Sequence, residues 1–251
     1  MKHNFDSEVK LYMLFDLLGD IERTGPLLWQ IKRKRTEDIK NHILDLMFMI
    51  KILQKHFPDI LDYELMNDYA IIHDLPEALT GDITKFEGIP ESEIEKVTEK
   101  AIEYLIENFN DVIDFATLSP GYENRVDIES KIVHMLDKIQ AAIIFIKYQL
   151  DGNVDMDHPN VPKSLRQHPF VVEKINAGWD LGDIFFEFHL KAINITDEEC
   201  AKYNISRKDA DLIVDVIKSF ANNIYKHKQA GTLLVNKQDF PADATVYNNQ
   251  L

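Results

Sequence analysis

The sequence predicts an all-α protein. Three observations carry that reading: apolar residues recur at three- and four-residue spacings, β-branched alternation is scarce, and nine glycines with nine prolines are few turn-formers for 251 residues. With 45% hydrophobic residues the chain can bury a sizeable core.

Taken in order, residues 8 to 19 form an amphipathic helix that Gly19 ends, and an irregular stretch follows through Arg23, Thr24, Gly25 and Pro26. A second helix is expected from about Thr36, as N-cap, to Lys55, with Ile39, Ile43, Leu46, Met47, Ile50 and Leu53 as its apolar stripe. A third runs from Tyr63 to Asp74 and stops near Pro76. Pro90 and Glu91 open a fourth, with Ile94, Val97, Ala101, Leu105 and Phe109 on one side. Pro120 and Gly121 then break the chain before a long helix from about Glu123 to Leu150, which is too apolar to lie on a surface.

Residues 151 to 169 hold three prolines and few large apolar groups, so a long loop or subdomain boundary belongs there. The expected organisation is a core over residues 1 to 150 and a helical extension over 151 to 251 packed on it. Within the extension, Thr196 and Glu199 fit a capping box, and Ser206 caps a helix whose core face is Ile213, Ile217, Phe220 and Ile224. The last 20 or so residues show no period and read as a frayed or docked tail.

Charge narrows the function classes. Forty-three acidic against 28 basic residues leave a formal charge of −15, which repels a nucleic-acid backbone and an anionic membrane surface. The one basic cluster, Lys32 to Arg35, is a solvated turn or an attractor for a small anionic substrate. A single cysteine, Cys200, excludes an intramolecular disulfide framework; there is no signal-peptide pattern and no run near the ~20 apolar residues of a membrane span, so the chain reads as soluble and cytoplasmic.

Several polar residues interrupt apolar faces. His42 shares a helix face with Leu46 and Met49 and should point inward; Asp137 is flanked at helical spacing by Val133, Ala141 and Ile144. A buried carboxylate is costly unless it is paired or binds a metal. His73 and Asp74 end the third helix in the string HDLPEALTGDI. One divalent cation where three helices meet would compensate all four groups, and two imidazoles with two carboxylates suit Mn, Co, Fe or Zn better than Mg or Ca.

The order His42, His73-Asp74, Asp137 resembles the HD-domain metal-dependent phosphohydrolases. Glu77 three residues after Asp74, the Thr80-Gly81-Asp82 triplet, Lys85, and ESKIVHMLDKIQA around Asp137 make it most similar to the HD-domain 5′-deoxynucleotidases, over about residues 12 to 150. The fold implied is an HD-domain helical bundle with additional C-terminal helices. The resemblance implies that His42, His73, Asp74 and Asp137 bind one divalent metal, Mg remaining a further candidate, and that the partner is a small nucleotide bound by a homodimer. Glu77 is then assigned to the attacking water and Asp82 to the leaving oxygen or the sugar. Arg23 suits the substrate phosphate, with a surface ion pair to Glu22 or Asp20 as its plain alternative, and Lys85 adds a point charge. The chain departs from the bacterial pattern in having Thr24 after Arg23, where a tryptophan is usual; its nearest tryptophan is Trp29.

The activity this implies is phosphate release from (deoxy)nucleoside 5′-monophosphates. The alternatives are a deoxynucleoside triphosphate triphosphohydrolase, which calls for more basic groups near the site, offered only by the 32 to 35 cluster, and a non-catalytic nucleotide-binding helical protein, in which Glu77 could be lost.

Overall fold

The computed structural model describes residues 5–32 and 36–230, with only the backbone at Lys85, Lys228 and Gln229. No strand occurs among the described residues; the one β-type contact is an isolated antiparallel bridge between Glu22 and Asp38. The chain is all-α as its periodicity predicts.

The N-terminal half comprises α1 (Asp6–Leu17), α2 (Thr24–Leu28), α3 (Ile39–Leu53), α4 (Tyr63–Ile72), α5 (Glu77–Thr80), α6 (Glu91–Phe109) and α7 (Phe115–Glu123). Helix α8 (Ile128–Leu150) follows, then α9 (Lys163–Arg166), α10 (Pro169–Asn176), α11 (Leu181–Ala192), α12 (Asp197–Tyr203) and α13 (Arg207–Gln229).

Helix α8 is the axis of the molecule: α3, α4, α11 and α13 all pack on it, and Ile132, Val133, Ile139 and Ile146 along it are fully buried. Each such side chain contributes roughly 1.5–3 kcal/mol relative to exposure, and only Lys138, Lys147 and Leu150 of the helix are exposed. The main apolar cluster joins Ile43, Leu46 and Ile50 of α3 to Leu136 of α8 and to Phe186, Ile213 and Ile217 of the C-terminal helices.

Several boundaries differ from expectation, each for a local reason. The stretch after Arg23 is one helical turn, α2, with Pro26 inside it. Thr36 is not the cap of α3: its hydroxyl donates to Glu22, and the cap is Asp38, whose carboxylate accepts from the Asn41 N–H at 2.8 Å. Helix α4 ends at Ile72, and Pro76 instead precedes the short α5. Pro120 and Gly121 lie within α7 rather than breaking it. Gly121 is needed there because the Tyr69 hydroxyl sits 2.7 Å from where a Cβ would be. The break falls at Arg125, which adopts φ 48, and Asp127 caps α8 through the Ser130 N–H at 2.7 Å. Val97 of α6 is exposed rather than on the core face, and Ile94 borders a cavity.

In the C-terminal region the Thr196 and Glu199 capping box forms, and Ser206 accepts from the Asp209 N–H at 3.1 Å to start α13. Residues 151–162 are irregular, with Asp155 paired to Lys32 at 2.8 Å. Arg33, Lys34 and Arg35 of the basic cluster, and the tail beyond residue 230, lie outside the described residues.

Candidate metal centre

Three elements deliver the polar groups. Helix α3 carries His42 on its buried face, the end of α4 carries His73 and Asp74, and α8 carries Asp137. Asp62 fixes the start of α4 by accepting from the Glu64 and Leu65 N–H groups, both at 3.0 Å. Met66, Tyr69, Ala70 and Ile72 bury the helix, so His73, the cap residue that follows it, emerges at a set angle.

Both imidazoles have one nitrogen committed. The His73 Nδ1–H faces the Ala70 carbonyl at 2.9 Å, and His42 Nδ1 lies 2.7 Å from Gln140 Oε1. Gln140 is oriented in turn: its Nε2 donates to Glu37 Oε1 at 2.6 Å, which turns its oxygen toward His42. Each histidine therefore carries its proton on Nδ1 and presents a bare lone pair on Nε2. The two Nε2 atoms are only 3.4 Å apart.

The carboxylates join them there. Asp137 Oδ1 is 3.2 Å from His42 Nε2, and Asp74 Oδ2 is 3.2 Å from His73 Nε2 and 3.6 Å from His42 Nε2. Ligand atoms of His42, His73 and Asp137 all lie within 4.8 Å of one another. Lone pairs at such spacing repel unless a cation or protons sit among them, so the donor set of two nitrogens and carboxylate oxygens fits a divalent transition metal. Burial raises the Asp74 carboxyl, but positive charge around it, on His73 when protonated, Arg23 and His42 when protonated, outweighs burial and holds the group below the carboxylate range; a divalent cation would supply that charge with both imidazoles neutral. Asp137 is likewise pushed up by burial and pulled well down by Lys138 and His42.

The other expected residues fall around this cluster. Arg23 does not pair with Glu22 or Asp20: its Nη1 donates to Asp74 Oδ2 at 2.9 Å, and its Nε is 4.0 Å from Asp82 Oδ2. Asp82 holds the Arg23 loop by accepting from the Thr24 N–H at 2.6 Å, while the Thr24 hydroxyl donates to the Asp82 carbonyl. Glu77, on the first turn of α5, has a buried Oε2 with no hydrogen-bond partner among the described residues. Burial, with Asp74 and Asp82 nearby, raises its carboxyl well above the usual range. Lys85 begins a one-turn 3₁₀ helix, and its side chain lies outside the description.

His73, Asp74, Glu77, Asp137 and Lys138 line a cavity of about 220 Å³. On its wall the Tyr122 and His134 rings stack at 3.9 Å and 14°. Lys138, whose Nζ is 2.8 Å from Asp137 Oδ2, escaped the sequence reading, as did Gln140 and Glu37. Gln140 had left a signal, a polar residue one turn beyond Asp137 in an apolar run. Trp29 does not reach this cavity: it is 2% exposed within a second apolar cluster.

With that geometry in view, the class is defined. The HD-domain family model matches residues 15–177, and the chain belongs to the HD-domain family, and with it to the metal-dependent phosphohydrolases. It is 22% identical to human 5′-deoxynucleotidase HDDC2 over 151 residues, 59% of this chain and 70% of that one. To the Xenopus laevis 5′-deoxynucleotidase HDDC2 it is 22% identical over 178 residues, 66% and 85% of the two chains. Among solved structures, a predicted metal-dependent phosphohydrolase from Magnetospirillum magnetotacticum MS-1 superposes with a TM-score of 0.54 at 14% identity, covering 92% of this chain and 97% of that one. The PH0347 protein from Pyrococcus horikoshii OT3 gives 0.52 at 23% identity, over 84% and 98%. These structures share the fold.

Proposed function

We propose that the protein is a metal-dependent phosphomonoesterase that releases phosphate from (deoxy)nucleoside 5′-monophosphates, with His42, His73, Asp74 and Asp137 as metal ligands. The observation that carries the reading is the meeting of two bare imidazole nitrogens and two carboxylates beside a cavity lined by His73, Asp74, Asp137 and Glu77, whose Oε2 has no hydrogen-bond partner among the described residues. The likeness to the 5′-deoxynucleotidases HDDC2 supports the substrate class.

A divalent cation held by these residues, Mn, Co, Fe or Zn, would supply Lewis-acid polarisation of a phosphoryl oxygen and acidify water. Glu77, whose Oε2 has no partner among the described residues, is the group to orient a water in the cavity and take its proton. Arg23 offers a planar donor fork to the phosphate, releasing Asp74 from its 2.9 Å contact. Asp82, which follows α5, serves the leaving oxygen or sugar, and Lys85 adds a point charge. A homodimer acting on a small molecule, with no nucleic-acid polymer or membrane as partner, completes the reading; the charge of −15 supports the first exclusion.

The test is a product assay over nucleoside mono- and triphosphates, run after chelation and again with Mn, Co, Mg and Zn. Inorganic phosphate from monophosphates is expected, lost in Asp74→Ala and Glu77→Ala. Free triphosphate released from a deoxynucleoside triphosphate overturns the monophosphatase reading.

A further inference from the structure

A second cavity, of about 170 Å³, lies apart from the metal centre, and no role so far described uses it. Its wall is ring upon ring: Trp29, Phe86, Phe170, Phe185 and Phe188, with the imidazoles of His168 and His189 supplying polar edges. Aliphatic side chains would suffice for a mere core. Flat faces around an open space suit a flat ligand, because ring faces and edges attract one another in stacked or edge-on arrangements.

The cavity is joined to the metal centre by two elements. The segment after α5 lines both: Gly81 and Ile83 face the metal-site cavity, and Phe86 the aromatic one. On α8, Asp137 and Lys138 face the metal-site cavity, and Phe145, eight residues on, stacks on Phe185 at 4.1 Å and 1°. Helix α11 runs antiparallel to α8: the Gly182 N–H donates to Gln149 Oε1 at 2.7 Å, and Phe185 then meets Phe145. One further turn brings His189 back toward Lys138. Consistent with this, Lys138 and Asp137 both act on the ionisation of His189. Phe145, which backs the cavity wall at Phe185, lies eight residues along α8 from Asp137, about 12 Å at 1.5 Å per residue. The sugar and base of one nucleotide together span such a length.

We propose that the aromatic cavity is the subsite for the heteroaromatic base of the nucleotide whose phosphate is held at the metal centre. The inference rests on the nucleotide reading above, and it gives the C-terminal region a task, since residues from Leu165 to His189 build most of the wall. An uncharged imidazole at its edge offers one donor and one acceptor to a base, and the lack of carboxylates on the wall suits a neutral ring.

The test has two arms on the full chain. In the first, Trp179→Phe leaves Trp29 as the sole tryptophan, and its fluorescence is titrated with thymidine and with deoxyadenosine, neither of which carries phosphate. Saturable quenching is expected, weakened about tenfold by Phe188→Ala, a substitution at a half-exposed ring, and by His189→Leu. In the second arm the same two variants are assayed on deoxynucleoside monophosphates and on deoxyribose 5-phosphate, which has no base. KM is expected to rise about tenfold for the nucleotides alone. Equal effects on the abasic substrate, or no quenching by either nucleoside, overturn the subsite while leaving the phosphatase reading standing. Nucleoside binding that the variants abolish, in a protein that hydrolyses no nucleotide with any metal, supports the subsite and overturns the phosphatase reading.

Discussion

Gln140 Oε1 accepts the Nδ1 proton of His42 at 2.7 Å in the buried core, across 98 residues of sequence. The amide has no freedom to flip, because its nitrogen donates to Glu37 at 2.6 Å and faces Asp45 at 3.4 Å. Two carboxylates therefore fix an amide, the amide fixes an imidazole tautomer, and the tautomer fixes which nitrogen faces His73 and Asp137. Partners behind a ligating histidine orient its ring and raise its basicity.

Gln140→Leu keeps bulk but removes the acceptor, so the His42 ring loses both its tautomer preference and its hydrogen bond. Metal affinity, measured by competition with a chelator of known strength, is expected to fall roughly 10- to 100-fold. Glu37→Gln retains an acceptor for the Gln140 amide and is expected to fall much less. Equal losses in both variants would point to general damage rather than to ring orientation.

Glu77 separates stability from activity. Its Oε2 is buried with no hydrogen-bond partner among the described residues, beside Asp74 and Asp82. Glu77→Gln removes a carboxyl that burial disfavours in its charged form, so thermal stability is expected to hold or rise. Phosphate release is expected to drop by about 10²–10⁴, the scale of a lost general base. A melting curve and an activity assay on the same sample read both; a stability loss with activity preserved contradicts the assigned role.

Arg23 and Asp74 form an ion pair 20% and 14% exposed. Breaking such a pair leaves one charge uncompensated, at a cost on the order of 3 kcal/mol. A divalent cation at His42, His73 and Asp137 would compensate Asp74 in place of the guanidinium. Arg23→Ala is therefore expected to lower the melting temperature strongly in chelator and much less with saturating Mn. Losses of the same size in both conditions would mean that Asp74 does not contact the metal.

These residues also mark how far the sequence could be read. His42, His73, Asp74 and Asp137 each break an apolar period, a local pattern that requires no knowledge of packing, and the structure brings all four together. What stayed hidden depends on partners far along the chain. Thr36 has the chemistry of a cap, and only the fold shows that its hydroxyl is taken by Glu22, so that Asp38 caps α3. Trp29 reads as a loop aromatic until α11 closes over it, where it meets Phe185 edge-on at 6.2 Å, 156 positions later. Arg23 offers no periodicity signal at all, since its partner is chosen by how the loop lies across α4.

His189 gives a pH dependence with a definite sign. Burial, with Lys138 adding to it and Asp137 opposing, pushes its imidazole down to about 4 from the ordinary 6.5. Its ring lies 5.9 Å from Phe185 and 5.2 Å from Phe188, surroundings that cannot solvate an imidazolium. The unfolded chain takes up a proton at this position as pH falls through about 6.5, whereas the folded chain takes none until about 4. Between those values the unfolded state binds more protons, so stability falls as pH falls, by at most about 1.4 kcal/mol per pH unit from this group. Carboxylates titrate over part of the same range, so the measurement is a difference: urea midpoints of the unmodified chain and His189→Phe, followed from pH 7 to pH 4.5. The variant, whose ring continues the Phe185 and Phe188 surface, is expected to lose less stability over that span. Parallel curves would show that His189 is already solvated in the folded protein.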